Sequence, residues 1–225
     1  MKIKLSKKQK IILIVVLAVL ILAGLLAARI FWWQGRVSEI RTFFSQILEK
    51  EQLPDKVREA VEKLKSNPQD ADSYLAIAAY KREKGEYSDA IKIYLAALEF
   101  RPTDTLLLMN IAELYERTKQ YSEAETAYQK VIETNPKWTN SYRNLVSLYL
   151  YNLKEKQSEI PKILELGLKN NADEGIDAEF IGQLAVYYKD FGPKEEAIKW
   201  YKKLIELDPT NETAKKELAE LKSNQ

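Results

Sequence analysis

Glu113 and Glu116, Glu195 and Glu196, and Glu217 and Glu220 are acidic pairs close enough along the chain to share a surface. Two carboxylates at a fixed separation are the machinery of general acid and base work, as in glycoside hydrolysis. Here each pair lies in a lysine-rich stretch of helical spacing, where a solvated face with i,i+4 ion pairs accounts for it. The chain has no cysteine and no histidine. Disulfides, thiolate nucleophiles, Cys/His zinc sites and imidazole-based triads are therefore excluded. The seven glycines are scattered and form no phosphate-cradling loop. The expectation is a chain that is no enzyme and holds no cofactor, with a carboxylate-based enzyme as a remote alternative. What remains is binding.

The elements that position these residues repeat. Ile77, Ala78, Tyr87, Ser88, Ala90, Tyr94, Glu99 and Pro102 return unchanged thirty-four positions later as Ile111, Ala112, Tyr121, Ser122, Ala124, Tyr128, Glu133 and Pro136. A fixed period of this length marks stacked helix-turn-helix pairs. Within a unit, apolar residues fall at three- and four-residue spacing, as in Tyr74, Ile77, Ala78 and then Ala90, Tyr94, Ala97, Leu98. Ala78 and Ala90 allow two helices to approach closely, with Tyr87 and Tyr94 filling the space beside the crossing. Gly85 suits a left-handed helix stop, Ser122 with Glu125 reads as a capping box, and Pro193 suits a helix start. No stretch alternates like a strand.

This pattern resembles the tetratricopeptide repeat family. Tyr74, Ile77, Ala78, Gly85, Tyr87, Ala90, Tyr94, Ala97 and Pro102 stand at the family's positions, with Lys81 where a tyrosine is usual. Leu108, Ile111, Ala112, Tyr115, Tyr121, Ala124, Tyr128 and Pro136 form a second copy, with Val131 in place of a small residue. A later copy reads Ile181, Leu184, Ala185, Tyr188, Gly192, Ala197, Tyr201, Leu204 and Pro209. Between them lies a longer, degenerate unit: Tyr142, Leu145, Val146 and Tyr149 begin it well, but Leu164, Gly167 and Ala172 fall where an alanine, an aromatic and a proline belong. The resemblance implies an all-α fold, a right-handed α-solenoid of about four helix-turn-helix repeats. The expected divisions are 34–66 for a linker and amino-terminal capping helices, 67–102, 103–136, 137–172 and 173–209 for the repeats, and 210–225 for a carboxy-terminal capping helix.

In the resembled family the first helices of successive units line a groove that holds an extended peptide or a helix. By register that face presents Asp72, Leu75, Ala79 and Arg82, then Met109, Asn110, Glu113 and Glu116, then Asn140, Arg143, Asn144 and Ser147, then Gly182, Val186 and Lys189. For each, a plain solvated helix face is the alternative. A subgroup of the family clamps the terminal carboxylate of chaperone tails with lysines, an arginine and asparagines. Leu75 and Ala79, Asn110, and Asn140 and Asn144 occupy those places, and only Asn110 fits, which argues against a carboxylate clamp.

The amino terminus carries a separate signal. Ile11 to Ala28 are eighteen residues without a charged or polar side chain, followed by Arg29 and then Ile30, Phe31, Trp32 and Trp33. Eighteen helical residues span roughly 27 Å, close to the hydrocarbon core of a bilayer. Lys2, Lys4, Lys7, Lys8 and Lys10 precede them, a basic tail that stays cytoplasmic. The expectation is a signal-anchor: tail 1–10, transmembrane helix 11–33, and the repeats on the extracytoplasmic side, periplasmic or extracellular. A cleaved signal peptide is the competing reading. Ala23 with Ala27, and Gly24 with Ala28, supply small residues four apart, a motif for a homodimer within the membrane. Val37, Ile40, Phe44, Ile47 and Leu48 would either extend that helix or pack beneath the first unit.

Net charge is +2, but residues 1–36 hold seven basic side chains and no acidic one, leaving the rest at −5. A mildly acidic domain does not suit nucleic acid. The function expected from all this is a membrane-tethered module that recruits a protein partner, as an accessory to export or envelope-complex assembly. A self-assembling structural subunit is the alternative.

Overall fold

The structure, a computed structural model, describes residues 53–171 and 177–223 together with positions 35, 38, 42 and 44–46. Among the described residues every regular element is helical. The chain divides into two compact units, residues 1–76 and 77–225.

In the amino-terminal unit, Pro54 precedes helix α1 (Asp55–Ser66), its fixed φ of −54° suiting a helix entry that needs no N–H. Val57, Ala60, Val61 and Leu64 bury one stripe at three- and four-residue spacing. Asp70 then caps helix α2 (Ala71–Glu83): its carboxylate accepts from the Ser73 N–H at 3.0 Å and the Ser73 hydroxyl at 2.5 Å, with Lys63 Nζ at 3.0 Å. The Tyr74 hydroxyl donates to the Pro68 carbonyl at 2.9 Å, and the Phe44 ring lies 5.7 Å from the Tyr74 ring. Phe44 thus packs on Tyr74; Val37, Ile40, Ile47 and Leu48 lie outside the described residues.

The division between the units falls within α2. In the second unit follow α3 (Tyr87–Phe100), α4 (Thr105–Arg117), α5 (Tyr121–Thr134), α6 (Thr139–Tyr151), a 3₁₀ turn (Lys154–Glu159), α7 (Ile160–Asn171), α8 (Asp177–Phe191), α9 (Lys194–Leu207) and α10 (Glu212–Ser223). From α3 onward each helix packs against its neighbours in sequence. The thirty-four-residue echo is an echo of burial: Ile77 and Ile111, Ala78 and Ala112, Ala90 and Ala124, and Tyr94 and Tyr128 are all buried. Alanine lets the backbones close, and the tyrosine ring fills the gap beside them. Tyr87 differs from the expected packing residue. It is half-buried, and its hydroxyl accepts from Arg117 Nη1 at 2.8 Å while the guanidinium lies over the ring.

Local signals fared unevenly. Gly85 ends α2 at φ 77°, and Lys119, thirty-four residues on, ends α4 at φ 61°. Pro193 stands at the cap of α9, one residue before the helix. The capping box expected of Ser122 and Glu125 does not form. Helix α5 starts at Tyr121 with Gln120 as its cap, and Glu125 is buried. Asn211 caps α10, its side-chain oxygen accepting from the Ala214 N–H at 2.9 Å.

The degenerate third pair has a physical explanation. The 3₁₀ turn takes up the extra residues between α6 and α7. A Cβ on Gly167 would stand 2.6 Å from Cε2 of Phe180. Phe180 is fully buried, with its ring 6.0 Å from Tyr142. The aromatic missing from α7 is thus supplied by α8, and glycine makes room for it.

The single-pass membrane assignment is corrected. Among the described residues no helix is long and apolar enough to cross a membrane. The longest, α8, has 15 residues, about 22 Å of helix against a hydrocarbon core of roughly 30 Å. Residues 11–33, on which that assignment and the extracytoplasmic placement rested, lie outside the described residues.

Candidate functional site

The first helices of the pairs, α4, α6 and α8, carry most of the residues singled out by register, and the far end of α2 adds Ala79 and Arg82. Five of them meet around one cavity of about 410 Å³: Arg82, Glu113, Glu116, Asn144 and Ser147. Their spacing explains the meeting, because residues three and four apart share a helix face, here on α4 and on α6. Tyr128 of α5 closes the cavity from beneath. Its hydroxyl donates to Glu116 Oε1 at 2.5 Å and accepts from Asn144 Nδ2 at 3.3 Å. Register alone assigned Tyr128 to the core; its hydroxyl serves the surface.

The electrostatics are mixed. Burial, and then the neighbouring Glu113 carboxylate, push the Glu116 carboxyl upward, opposed by the Tyr128 hydrogen bond. Burial likewise raises the Tyr128 phenol, reinforced by Glu116. Arg82 reaches Asn110 Oδ1 at 3.4 Å, while Asn110 Nδ2 donates to the Leu106 carbonyl at 2.7 Å. Carboxylate, guanidinium, amide and hydroxyl groups thus stand together at one opening. That set can pair with the N–H and C=O groups of a peptide backbone and with polar side chains.

Other residues of the predicted face hold the protein's own helices together. Arg143 forks onto Glu179 of α8, with Nε 2.6 Å from Oε1 and Nη2 on Oε2, and takes Asn140 Oδ1 at 2.7 Å. Glu179 raises the Arg143 pKa. Lys189 pairs with Glu217 of α10 at 3.1 Å. Met109 is turned inward with 7% of its surface exposed, so it offers little to a ligand. Asp72 is exposed and Leu75 half-buried; both belong to the amino-terminal unit.

A second opening, of about 800 Å³, lies between α6, α7 and α8. Gly182 and Val186 of the predicted face line it, with Leu150, Tyr151, Tyr187 and Phe191. Sequence reading missed its size. The signal was there in the glycine of α8, but only the fold places Leu150 and Tyr151 across from it.

Helical hairpins packed in sequence order, with small residues at their crossings and a residue-lined face on their first helices, define a helical repeat array. Family models of the tetratricopeptide repeat match two stretches of the chain, residues 81–149 and 178–211. No curated protein matches the sequence. Among solved structures, the carboxy-terminal part of a TPR repeat-containing protein from Cytophaga hutchinsonii is similar at 24% identity, covering 72% of this chain and 65% of that one, with a TM-score of 0.58. YrrB, described as a TPR protein with an unusual peptide-binding site, is 19% identical over 73% of this chain and 82% of its own, with a TM-score of 0.53. MamA is 21% identical over 66% and 78%, with a TM-score of 0.51. At these identities the likeness is one of fold.

Proposed function

We propose that this chain is a protein-interaction module that holds a peptide or helix of a partner protein against the face formed by α4, α6 and α8. The tetratricopeptide fold supports protein binding as the class of function. The observation that carries the reading is the convergence of Arg82, Glu113, Glu116, Asn144 and Ser147 on one cavity of about 410 Å³. The peptide-binding site named for YrrB supports a peptide as the kind of ligand. An accessory role in export or envelope assembly rested on the membrane anchor and is not carried forward.

The test is capture of partner proteins by the full chain, compared with Glu113→Lys, Ser147→Arg and a control, Lys202→Glu, on α9. Partners retained by the parent and the control but lost from both face variants support the reading. Capture indifferent to the face variants overturns it. Recovery of further copies of this chain alone would put a self-assembling subunit in its place.

A further inference from the structure

The 800 Å³ cleft between α6, α7 and α8 has a chemistry unlike that of the polar cavity. Tyr151, Val186 and Phe191 line it and are large apolar side chains left 71%, 46% and 54% exposed. Apolar side chains gathered at one opening mark a place where another molecule sits. The floor is open as well. A Cβ on Gly182 would meet only Leu204 Cδ2, at 3.7 Å.

The rim has one sign. Among the described residues, Glu179 and Asp190 are the charged ones that line the cleft, with no lysine or arginine beside them. Glu179 is held by Arg143 at one end. The carboxylate of Asp190, at the other end, makes no hydrogen bond or ion pair among the described residues, though its charge is felt by the neighbouring Lys189 and by Tyr201. From Glu179 to Asp190 the wall runs eleven residues along α8, about 16 Å at helical rise, or three turns. That length matches a helical segment presenting side chains at i, i+3 or i+4, and i+7.

We propose that this cleft is the docking subsite for an amphipathic segment of a partner protein. The segment carries bulky apolar side chains, which enter between Tyr151 and Val186 over Gly182, and a lysine or arginine, which meets Asp190. The assignment rests on the peptide-binding reading above and narrows it to a ligand chemistry and a place. A charge-matched rim sets register and orientation, while the apolar contacts supply most of the affinity.

The probe is a displayed library of random sixteen-residue peptides selected on the full chain. Enriched peptides are resynthesised with a fluorophore and titrated against the parent, Gly182→Leu, Asp190→Lys and Glu113→Lys. Far-ultraviolet spectra check that each variant keeps its helix content. Enriched peptides should pair apolar residues at helical spacing with a lysine or arginine. Gly182→Leu should weaken them about tenfold or more, the scale of a lost anchor. Asp190→Lys, a surface change that leaves the floor intact, should weaken them too, with recovery when the peptide's basic residue becomes glutamate.

Peptides that bind yet ignore Gly182→Leu and Asp190→Lys, and are lost with Glu113→Lys, overturn the cleft assignment and leave the broader reading standing. Failure to enrich any peptide overturns both. Self-association of the full chain that Gly182→Leu abolishes, or an apolar dye that fills the cleft while no peptide does, also overturns the proposal.

Discussion

Lys156 Nζ stands 2.6 Å from Glu125 Oε1 and 2.5 Å from Oε2, joining the 3₁₀ turn to α5 across thirty-one residues of chain. The same carboxylate accepts from the Tyr149 hydroxyl and from Gln129 Nε2. Glu125 is therefore the post on which the inserted turn of the degenerate pair is fastened. No capping box could form here in any case, because Ser122 already lies inside the helix, one residue past its start at Tyr121.

Glu125→Ala should destabilise the chain by about 1–3 kcal/mol, because the Tyr149 hydroxyl loses a buried acceptor and Lys156 its counter-charge. Lys156→Met, at a partly exposed position, should cost less. Urea unfolding of both variants measures the difference. Equal costs would mean that the ion pair, and not the buried hydroxyl, carries the contact.

The two interior glycines should respond oppositely to alanine. At Gly167 the new methyl would stand 2.6 Å from the buried Phe180 ring, so Gly167→Ala should destabilise by about 1–3 kcal/mol through overpacking. At Gly182 the nearest atom is 3.7 Å away, so Gly182→Ala should stabilise by about 0.5–1 kcal/mol through helix propensity. Thermal or urea midpoints moving in opposite directions would bear this out.

Lys119 holds a left-handed backbone, φ 61°, at the place where Gly85 holds φ 77° one period earlier. A side chain in that region costs free energy that glycine avoids. Lys119→Gly should stabilise by about 0.5–1 kcal/mol, and Gly85→Ala should destabilise by a similar amount, both read from urea midpoints.

These residues show what the sequence makes legible. The burial of Ala90 and Ala124 and of Tyr94 and Tyr128 was readable because spacing within the repeat sets it, although the link from the Tyr128 hydroxyl to Asn144 of the next unit was not. Gly85 was readable because its backbone demand is local. Phe180 over Gly167 and Lys156 on Glu125 were not, since each depends on which distant helix supplies a ring or a charge. The face residues divide the same way: Glu113, Glu116, Asn144 and Ser147 meet as their register implies, whereas Arg143 and Lys189 are claimed by Glu179 and Glu217. Register finds a face; it does not reveal which of its charges are already paired.

The chain has no histidine, so stability should change little around neutral pH, while the Glu116 carboxyl, raised by burial, costs stability as pH climbs above its unfolded value of 4.5. Burial raises the phenols of Tyr94, Tyr128, Tyr142 and Tyr149 above their ordinary value of 10.0. Unfolded phenols ionise near 10 and folded ones higher, so this stabilisation is complete below pH 10 and lost as pH rises through the folded values. Asp70 acts in the opposite sense. Its pKa is lowered chiefly by the Ser73 hydroxyl, so its contribution is present above the unfolded value of 3.8 and lost as pH falls through the lower folded one. Urea midpoints measured across this range should fall at both ends, and Ser73→Ala should blunt the acid-side loss.

The most direct measurement of partner binding on the α4, α6 and α8 face is site-specific photo-crosslinking in the full chain. A photoreactive residue at Ser147 or Val186 should crosslink to a partner polypeptide, and the same residue at Lys202 on α9 should not. Crosslinks that form at Lys202 and are absent at Ser147 and Val186 would contradict the account.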